Sequence, residues 1–437
     1  MQETAKESKI GFWSLFSIVV GAQLGASIFL LPSELARFRT LGIIGWIIAG
    51  FGAILLTTVL SFLCVKTTKS GGPHIYAKMF FGPKVGFFLA WIYWCGSWAC
   101  NPILISTAVN YLQSFLDITF SNEVTLFIEI MMVLSLTVVN TSGAKNTGQF
   151  DIFLSCIKII PLFIIPIIAF SNIEVSNFRE IMPQNMSTIQ TLSAATILSF
   201  WGFVGLEGGT TPSGCVKNPK RTIPLAIILG TSFVAIISVI NTIAIFGIIP
   251  PNQLESIGAP FAKVMTIIFG QTSEKFLGIM AFIMCYGSLN AWIFFSGQIA
   301  RSSANEGLFP AIFKKANKRG APSNAIWIGT IGTVTILTIR KYTEFASAIG
   351  SFINMSVMIY IILYIFSVAA YAKYLTLTKS RSFKYWSITL LALSFCLYIL
   401  LKANLQDFSA VLIATLTGIP LYIKYRKNNR QNINNKP

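Results

Sequence analysis

Twelve long apolar runs follow one another along the chain with only short polar segments between them, and this spacing leaves few architectures open. A helix that crosses a bilayer needs about 20 mainly apolar residues. The runs fall at 12–31, 42–65, 85–116, 124–140, 150–171, 190–210, 223–248, 275–300, 324–339, 345–371, 385–401 and 408–423. Backbone inside hydrocarbon must satisfy its own hydrogen bonds, so the expected fold class is an all-α membrane protein of twelve transmembrane helices. The longest connections, 172–189 and 301–323, are too short to hold a second domain, and residues 1–423 read as one transmembrane domain. The first twelve residues, MQETAKESKIGF, lack the basic start and small-residue cleavage site of a signal peptide, so the first run is expected to be a retained helix. Those residues and the Asn/Lys-rich tail 424–437 are polar enough to be expected as disordered.

Of 437 residues 54% are apolar and 11% charged, yet the formal net charge is +18. A nucleic-acid surface needs its basic residues clustered on a polar domain, and the apolar runs leave no such domain. The excess of Lys and Arg on cytoplasmic loops explains the charge instead. With both termini cytoplasmic, the inner segments hold 24 of the 33 basic residues and the outer ones eight, while Lys158 falls inside a run. The expected location is therefore the cell inner membrane, with multiple passes and the lipid bilayer as surroundings.

Seven cysteines are scattered over the apolar runs without metal-ligand spacing, and His74 is the only histidine. No HExxH, GxSxG or Walker pattern occurs. A hydrolase, a metal enzyme or an ATP-driven pump thus has no chemical group to work with, and no catalytic residue, metal or cofactor is expected. Passive or secondary movement of a solute is left.

Two runs are interrupted by glycine and polar residues. The first carries Gly21, Gln23, Gly25, Ala26 and Ser27 at mid-membrane, and the sixth carries Ser199, Gly202, Gly205, Glu207, Gly208 and Gly209. Small residues in membrane helices commonly serve close packing. Two such segments five runs apart admit a second reading: glycines let the chain leave helical geometry, and a five-helix repeat, being odd, would recur inverted. Repeats of 12–171 and 190–371 plus extra helices at 385–423 follow, with a binding site where the two broken helices meet. A helix that stops inside the bilayer exposes N–H groups at one broken end and C=O groups at the other. The amides of Gly25, Ala26 and Ser27, with the Ser27 hydroxyl, are candidates for a carboxylate, and carbonyls near Gln23, Trp201 and Val204 are candidates for an amine.

The segments GAQLGASIFLLP, SGGPHIYAKMFFGP, YWCGSWACN, FWGFVGLEGGTTPSGCVKNPKRTIPLAI and GLFPAIFKKANKRG together resemble the amino acid/polyamine/organocation (APC) transporter superfamily. Within it the chain is most similar to the basic amino acid/polyamine antiporters that exchange arginine for agmatine. The resemblance implies twelve helices, a 5+5 inverted repeat with broken helices 1 and 6, a homodimer and alternating access. By residue, Ala26 and Ser27 match the carboxylate turn, and Trp201 and Val204 match positions that cover the ligand and accept its amine. Asn101 matches the reader of a guanidinium, helped by carbonyls at Gly96 and Ser97. Trp292 and Tyr93 match an aromatic wall and gate, shared with Trp201. Asn101 is also a polar residue midway along a run, where it could equally bond a neighbouring helix. The chain departs from the pattern at Ser27 (glycine preferred), Gln23 (apolar), Phe87 (tyrosine) and Leu104 (methionine), which leaves the substrate pair open.

Charged residues at bilayer depth are functional candidates. Lys158 lies about seven residues inside the fifth run, at the limit of snorkelling, and resembles a lysine that couples transport to protons in the superfamily. Glu207 follows the sixth-run break and resembles a proton-coupling carboxylate. His74 stands where the resemblance places a tyrosine linked to pH sensing. Glu129 is expected near the interface, without a role. Three functions remain: exchange of a cationic amino acid for its amine, proton-coupled uptake of an amino acid, and a membrane sensor or channel.

Overall fold

The structure, a computed structural model, describes residues 9–66, 71–257, 260–270, 272–341 and 349–434. Eleven helical stretches in it are long and apolar enough to cross a membrane. Span 1 is split into Phe12–Gln23 and Ala26–Ala36; span 2 is Leu41–Lys66; span 3 is Pro83–Ala99 continued by Asn101–Leu116; spans 4 and 5 are Asn122–Thr141 and Ala144–Ala169. Span 6 begins as Thr188–Phe200, followed by span 7 (Pro219–Ile248), span 8 (Thr272–Asn305), span 10 (Ile349–Leu377), span 11 (Phe383–Lys402) and span 12 (Ser409–Asn434). Span 9, Ser323–Lys341, is not among these eleven and completes the twelve, held among spans 3, 4 and 8.

The packing repeats after five spans. Span 2 lies on span 6 as span 7 lies on span 1; span 5 lies on spans 8, 1 and 7 as span 10 lies on spans 3, 6 and 2. Equivalent members of the repeat also pack on each other, 2 on 7, 3 on 8 and 4 on 9. The two broken helices, 1 and 6, are thereby equivalent by position. Spans 11 and 12 lie outside the repeat, span 11 on spans 10 and 2, and span 12 on spans 3 and 10.

Three segments differ from the sequence expectation. Residues 1–8 lie outside the described residues, but Ile10, expected in a disordered leader, is 2% exposed. Its N–H donates to the Cys215 carbonyl at 2.8 Å and its carbonyl accepts from Lys217 N–H at 2.9 Å. At the other terminus span 12 continues as helix to Asn434, through most of the segment 424–437 expected as disordered. Once a helix is nucleated by its apolar part, adding polar residues costs little; residues 435–437 lie outside the described residues. Span 5 begins at Ala144, six residues before the apolar run, because Gly143 at φ 106° lets the chain turn directly into helix.

Candidate functional site

Span 1 ends its first half at Gln23 and starts its second at Ala26, with Leu24 and Gly25 between them. The gap is narrow because Gly25 lies against span 8, where a Cβ would come 2.5 Å from Ser288 Oγ. No side chain caps the N-terminus that begins at Ala26, so its amides face the gap uncovered. Span 6 breaks differently from the expected pair of half-helices. After Phe200 the chain makes a 3-10 turn at Trp201–Phe203, extends at Val204 and reverses at Gly205, whose φ of 106° suits glycine. Further 3-10 turns at Gly208–Thr210 and Ser213–Cys215 follow, and no α-helix resumes. The hydroxyls of Thr210 and Thr211 donate to the carbonyls of Glu207 and Gly208 and hold these turns.

One cavity lies between the breaks, with about 40 Å³ open to the centre of a water molecule. Gln23, Gly25, Ala26 and Ser27 line it from span 1, Gly96 and Asn101 from span 3, Trp201 and Val204 from span 6, and Trp292 from span 8. Of the substrate candidates only Ser97 is elsewhere: it is buried, and its hydroxyl donates to the Trp94 carbonyl at 2.7 Å. Leu104, one of the departures from the family pattern, lines it as well, and residues that sequence reasoning missed complete the lining: Ala22, Cys100, Ser356 and Tyr360. Ser356 and Tyr360 are four apart and so share a face of span 10, but only the packing of span 10 on spans 3 and 6 turns that face inward. Asn101 is 3% exposed and opens the second helix of span 3, beside the turn at Cys100. Among the described residues no side chain or carbonyl bonds its amide.

An aromatic chain leads away from the cavity. Trp292 meets Tyr360 at 5.6 Å between ring centroids, Tyr360 meets Tyr93 at 6.0 Å, and Tyr93 meets His74 at 6.1 Å. Tyr93 is therefore behind the cavity wall rather than in it. Glu207 joins this chain, fully buried, with the Tyr364 hydroxyl donating to its Oε2. His74, expected in a loop, sits in the short helix Pro73–Phe81 and is fully buried, its Nε2 3.0 Å from Ser302 Oγ. Lys78 of the same helix donates to Glu306 Oε2 at 2.7 Å, which ties this helix to the end of span 8.

Burial pushes the His74 imidazole down to about 3 from its usual value near 6.5. The unfolded chain therefore takes up a proton between about pH 6.5 and 3 that the folded chain refuses, and stability falls as pH drops through that window. Melting of the purified protein in detergent should decline from pH 7.5 to pH 5, and His74→Gln, which keeps a partner for Ser302, should flatten the decline. The slope at stake is at most about 1.4 kcal/mol per pH unit. An unchanged acid limb in the variant would assign the decline to another group.

Lys158 is 1% exposed and lies 14 residues from the start of span 5 and 11 from its end. At 1.5 Å per residue that is about 16 Å or more from either end, beyond the reach of a snorkelling side chain. The shallow position expected from the sequence came from reading 144–149 as loop. Lys158 fits because residue 287 on span 8 is glycine: a Cβ there would come 2.4 Å from Nζ. Among the described residues Nζ has no hydrogen-bond partner. Asp151, not singled out from the sequence, shares this region. Its Oδ2 and the lysine Nζ lie 3.0 and 3.1 Å from one point above Gly21, so the two are within about 6 Å of each other. Asp151 accepts from Ser17 Oγ at 3.1 Å and from Asn290 Nδ2 at 3.2 Å, linking spans 1, 5 and 8. Glu129, expected at the interface, is also buried, 1% exposed, with both carboxylate oxygens on Arg340 Nη2 at 2.6 and 2.9 Å.

A family model described as amino acid permease matches residues 10–421. The chain is 28% identical over 430 residues to the putrescine transporter PotE of Haemophilus influenzae, covering 96% of this chain and 97% of that one. It is 26% identical over 426 residues to the cadaverine/lysine antiporter of Escherichia coli K12, covering 95% of each. A second putrescine transporter PotE, from Escherichia coli K12, is 28% identical over 367 residues and 84% of each chain.

Proposed function

The chain belongs to the amino acid permease family, and on that premise we propose that it exchanges a cationic amino acid for the decarboxylated amine of that amino acid by alternating access. As a permease of the APC type it is a multi-pass membrane transporter of amino acids or polyamines and not an enzyme. Exchange is the finer step. The observation that carries it is the cavity between the two breaks, which offers uncapped amides at Ala26 and Ser27 on one side and the unbonded Asn101 amide on the other. An amino acid with a cationic side chain matches both ends, the carboxylate at the helix N-terminus and the distal cation at Asn101. Its decarboxylated amine keeps the distal contact and gives up the first. Arginine with agmatine is one pair of this class; relatives named for putrescine and for lysine with cadaverine support the class and widen the choice within it. Trp201 and Trp292 form the walls, where an indole face attracts a cation by about 0.5 to 2 kcal/mol. Tyr93 and Trp201 act as gates, Gly96 and Ser97 position the span 3 backbone, and Lys158 and Glu207 carry protons; His74, expected to sense pH, is left out of this role because its burial keeps the imidazole neutral down to about pH 3. In this reading both termini lie in the cytoplasm and the protein is an inner-membrane homodimer, which sizing of the purified protein in detergent tests.

Vesicles reconstituted with the protein and loaded with labelled amine test the exchange. Label should leave only when a cationic amino acid or amine is supplied outside, across a panel of arginine, agmatine, lysine, cadaverine and putrescine. Efflux at the same rate without external substrate would favour the second reading, proton-coupled uptake, which the buried Lys158 supports. Asn101→Ala should weaken each cationic substrate by about tenfold or more while sparing neutral amino acids, as loss of a hydrogen bond to a charged group costs about 1.5–3 kcal/mol. Equal losses on neutral and cationic compounds would make Asn101 structural.

A further inference from the structure

The first half of span 1 ends with carbonyls that its helix cannot satisfy, and these are the natural acceptors for a substrate amine at that end. In this chain the last two already accept a hydroxyl. The Ala22 carbonyl accepts from Ser288 Oγ at 3.1 Å, and the Gln23 carbonyl accepts from Ser27 Oγ at 2.9 Å. The same bond directs the Ser27 hydroxyl proton to a protein carbonyl and away from a carboxylate. What is left over is the side chain of Gln23. Its Nε2 donates to the Val19 carbonyl and to Thr231 Oγ1, each at 3.2 Å. A carbonyl can only accept, so the atom beside Val19 is the NH2 and the amide's orientation is fixed. Gln23 Oε1 then has no partner among the described residues, in a side chain that is 2% exposed and lines the cavity. A buried acceptor without a donor is costly, and Gln23 is one of the residues that line the cavity.

We propose that the Gln23 side-chain amide oxygen receives the ammonium at the α-position of the substrate, in place of the hydroxyl-covered backbone carbonyls of span 1. This deepens the reading of the site given above and rests on it. The consequence is a preference. An acceptor at this end serves an α-amine whether or not a carboxylate accompanies it, so a diamine binds with both ammonium groups bonded, one by Gln23 and one at the Asn101 end. The site thereby holds the diamine at both ends, and of the contacts made to the amino acid only that of the carboxylate is given up.

The test uses the full-length protein in vesicles, with inhibition of labelled-substrate exchange by lysine, cadaverine and 6-aminohexanoate, the last of which has the carboxylate and distal ammonium of lysine but no α-amine. Gln23→Met should raise the inhibitory concentrations of lysine and cadaverine by about tenfold and leave that of 6-aminohexanoate unchanged. Gln23→Glu should shift the cadaverine-to-lysine preference toward the dication by about tenfold, a comparison that holds even if 6-aminohexanoate fails to bind. Equal loss on all three compounds in Gln23→Met, or an unchanged preference in Gln23→Glu, would overturn the assignment. Wild-type vesicles that exchange none of the cationic compounds would instead remove the functional reading on which it stands.

Discussion

Lys158→Met should give a folded transporter whose uptake no longer responds to a pH difference across the membrane, with gradient-driven transport reduced by about tenfold or more. The methionine replaces the apolar stem of the lysine and fills the same groove between spans 1 and 8, so packing is retained. What disappears is an ammonium that is sealed from both faces and has no hydrogen-bond partner among the described residues. Burying such a group is costly, and its retention in mid-span is hard to account for by packing alone, since Gly287 must remain without a Cβ to admit it. The substitution also leaves Asp151 buried without its nearby cation, a loss on the order of 1–3 kcal/mol. A lower melting temperature should therefore accompany it, and Lys158→Met with Asp151→Asn should recover most of the stability without recovering the pH response. Uptake in Lys158→Met that still follows the proton gradient as in the wild type would transfer the coupling to Glu207.

Gly25→Ala should abolish most transport, by about ten- to hundredfold, although it adds one methyl group. That methyl would stand 2.5 Å from Ser288 Oγ and 2.8 Å from Ser288 Cβ, too close for any rotamer of the serine to relieve. Overpacking of this kind costs about 1–3 kcal/mol, and here the strain falls on the gap between the two halves of span 1. It would push Ser288 from the Ala22 carbonyl and shift the amides at Ala26 and Ser27 that face the cavity. Gly25→Ala combined with Ser288→Gly removes the opposing atoms and should restore a large part of the rate. Wild-type exchange in the single variant would mean that the break in span 1 does not hold the substrate.

Much of this molecule was legible in its sequence. The runs of apolar residues marked the core of each of the twelve spans, with ends up to eleven residues off at span 12, because a bilayer admits hardly any other arrangement of such a chain. Glycine and polar interruptions at 21–27 and 199–209 located both breaks, since these residues weaken a helix wherever they occur. Nine of the ten proposed lining positions meet at one cavity, which follows from the equivalence of the breaks under a five-span repeat together with the family resemblance.

The remainder depended on which faces the tertiary structure turns toward one another. Sequence could not tell that Lys158 lies in mid-span, because the polar residues 144–149 carry no apolar signal yet continue the helix. Nor could it pair Glu129 with Arg340 or His74 with Ser302, for each contact joins elements far apart in the chain, whereas Asp151 and Lys158 stand seven residues apart on span 5. The state of the hydroxyls was equally out of reach. Ser27 reads as a donor waiting for a ligand, and only its position over the carbonyl of Gln23 shows that donor already engaged, as Ser288 is engaged by the carbonyl of Ala22. Local composition decides where a helix can form or fail, whereas the partner of a polar atom is set by distances that exist only once the spans have packed.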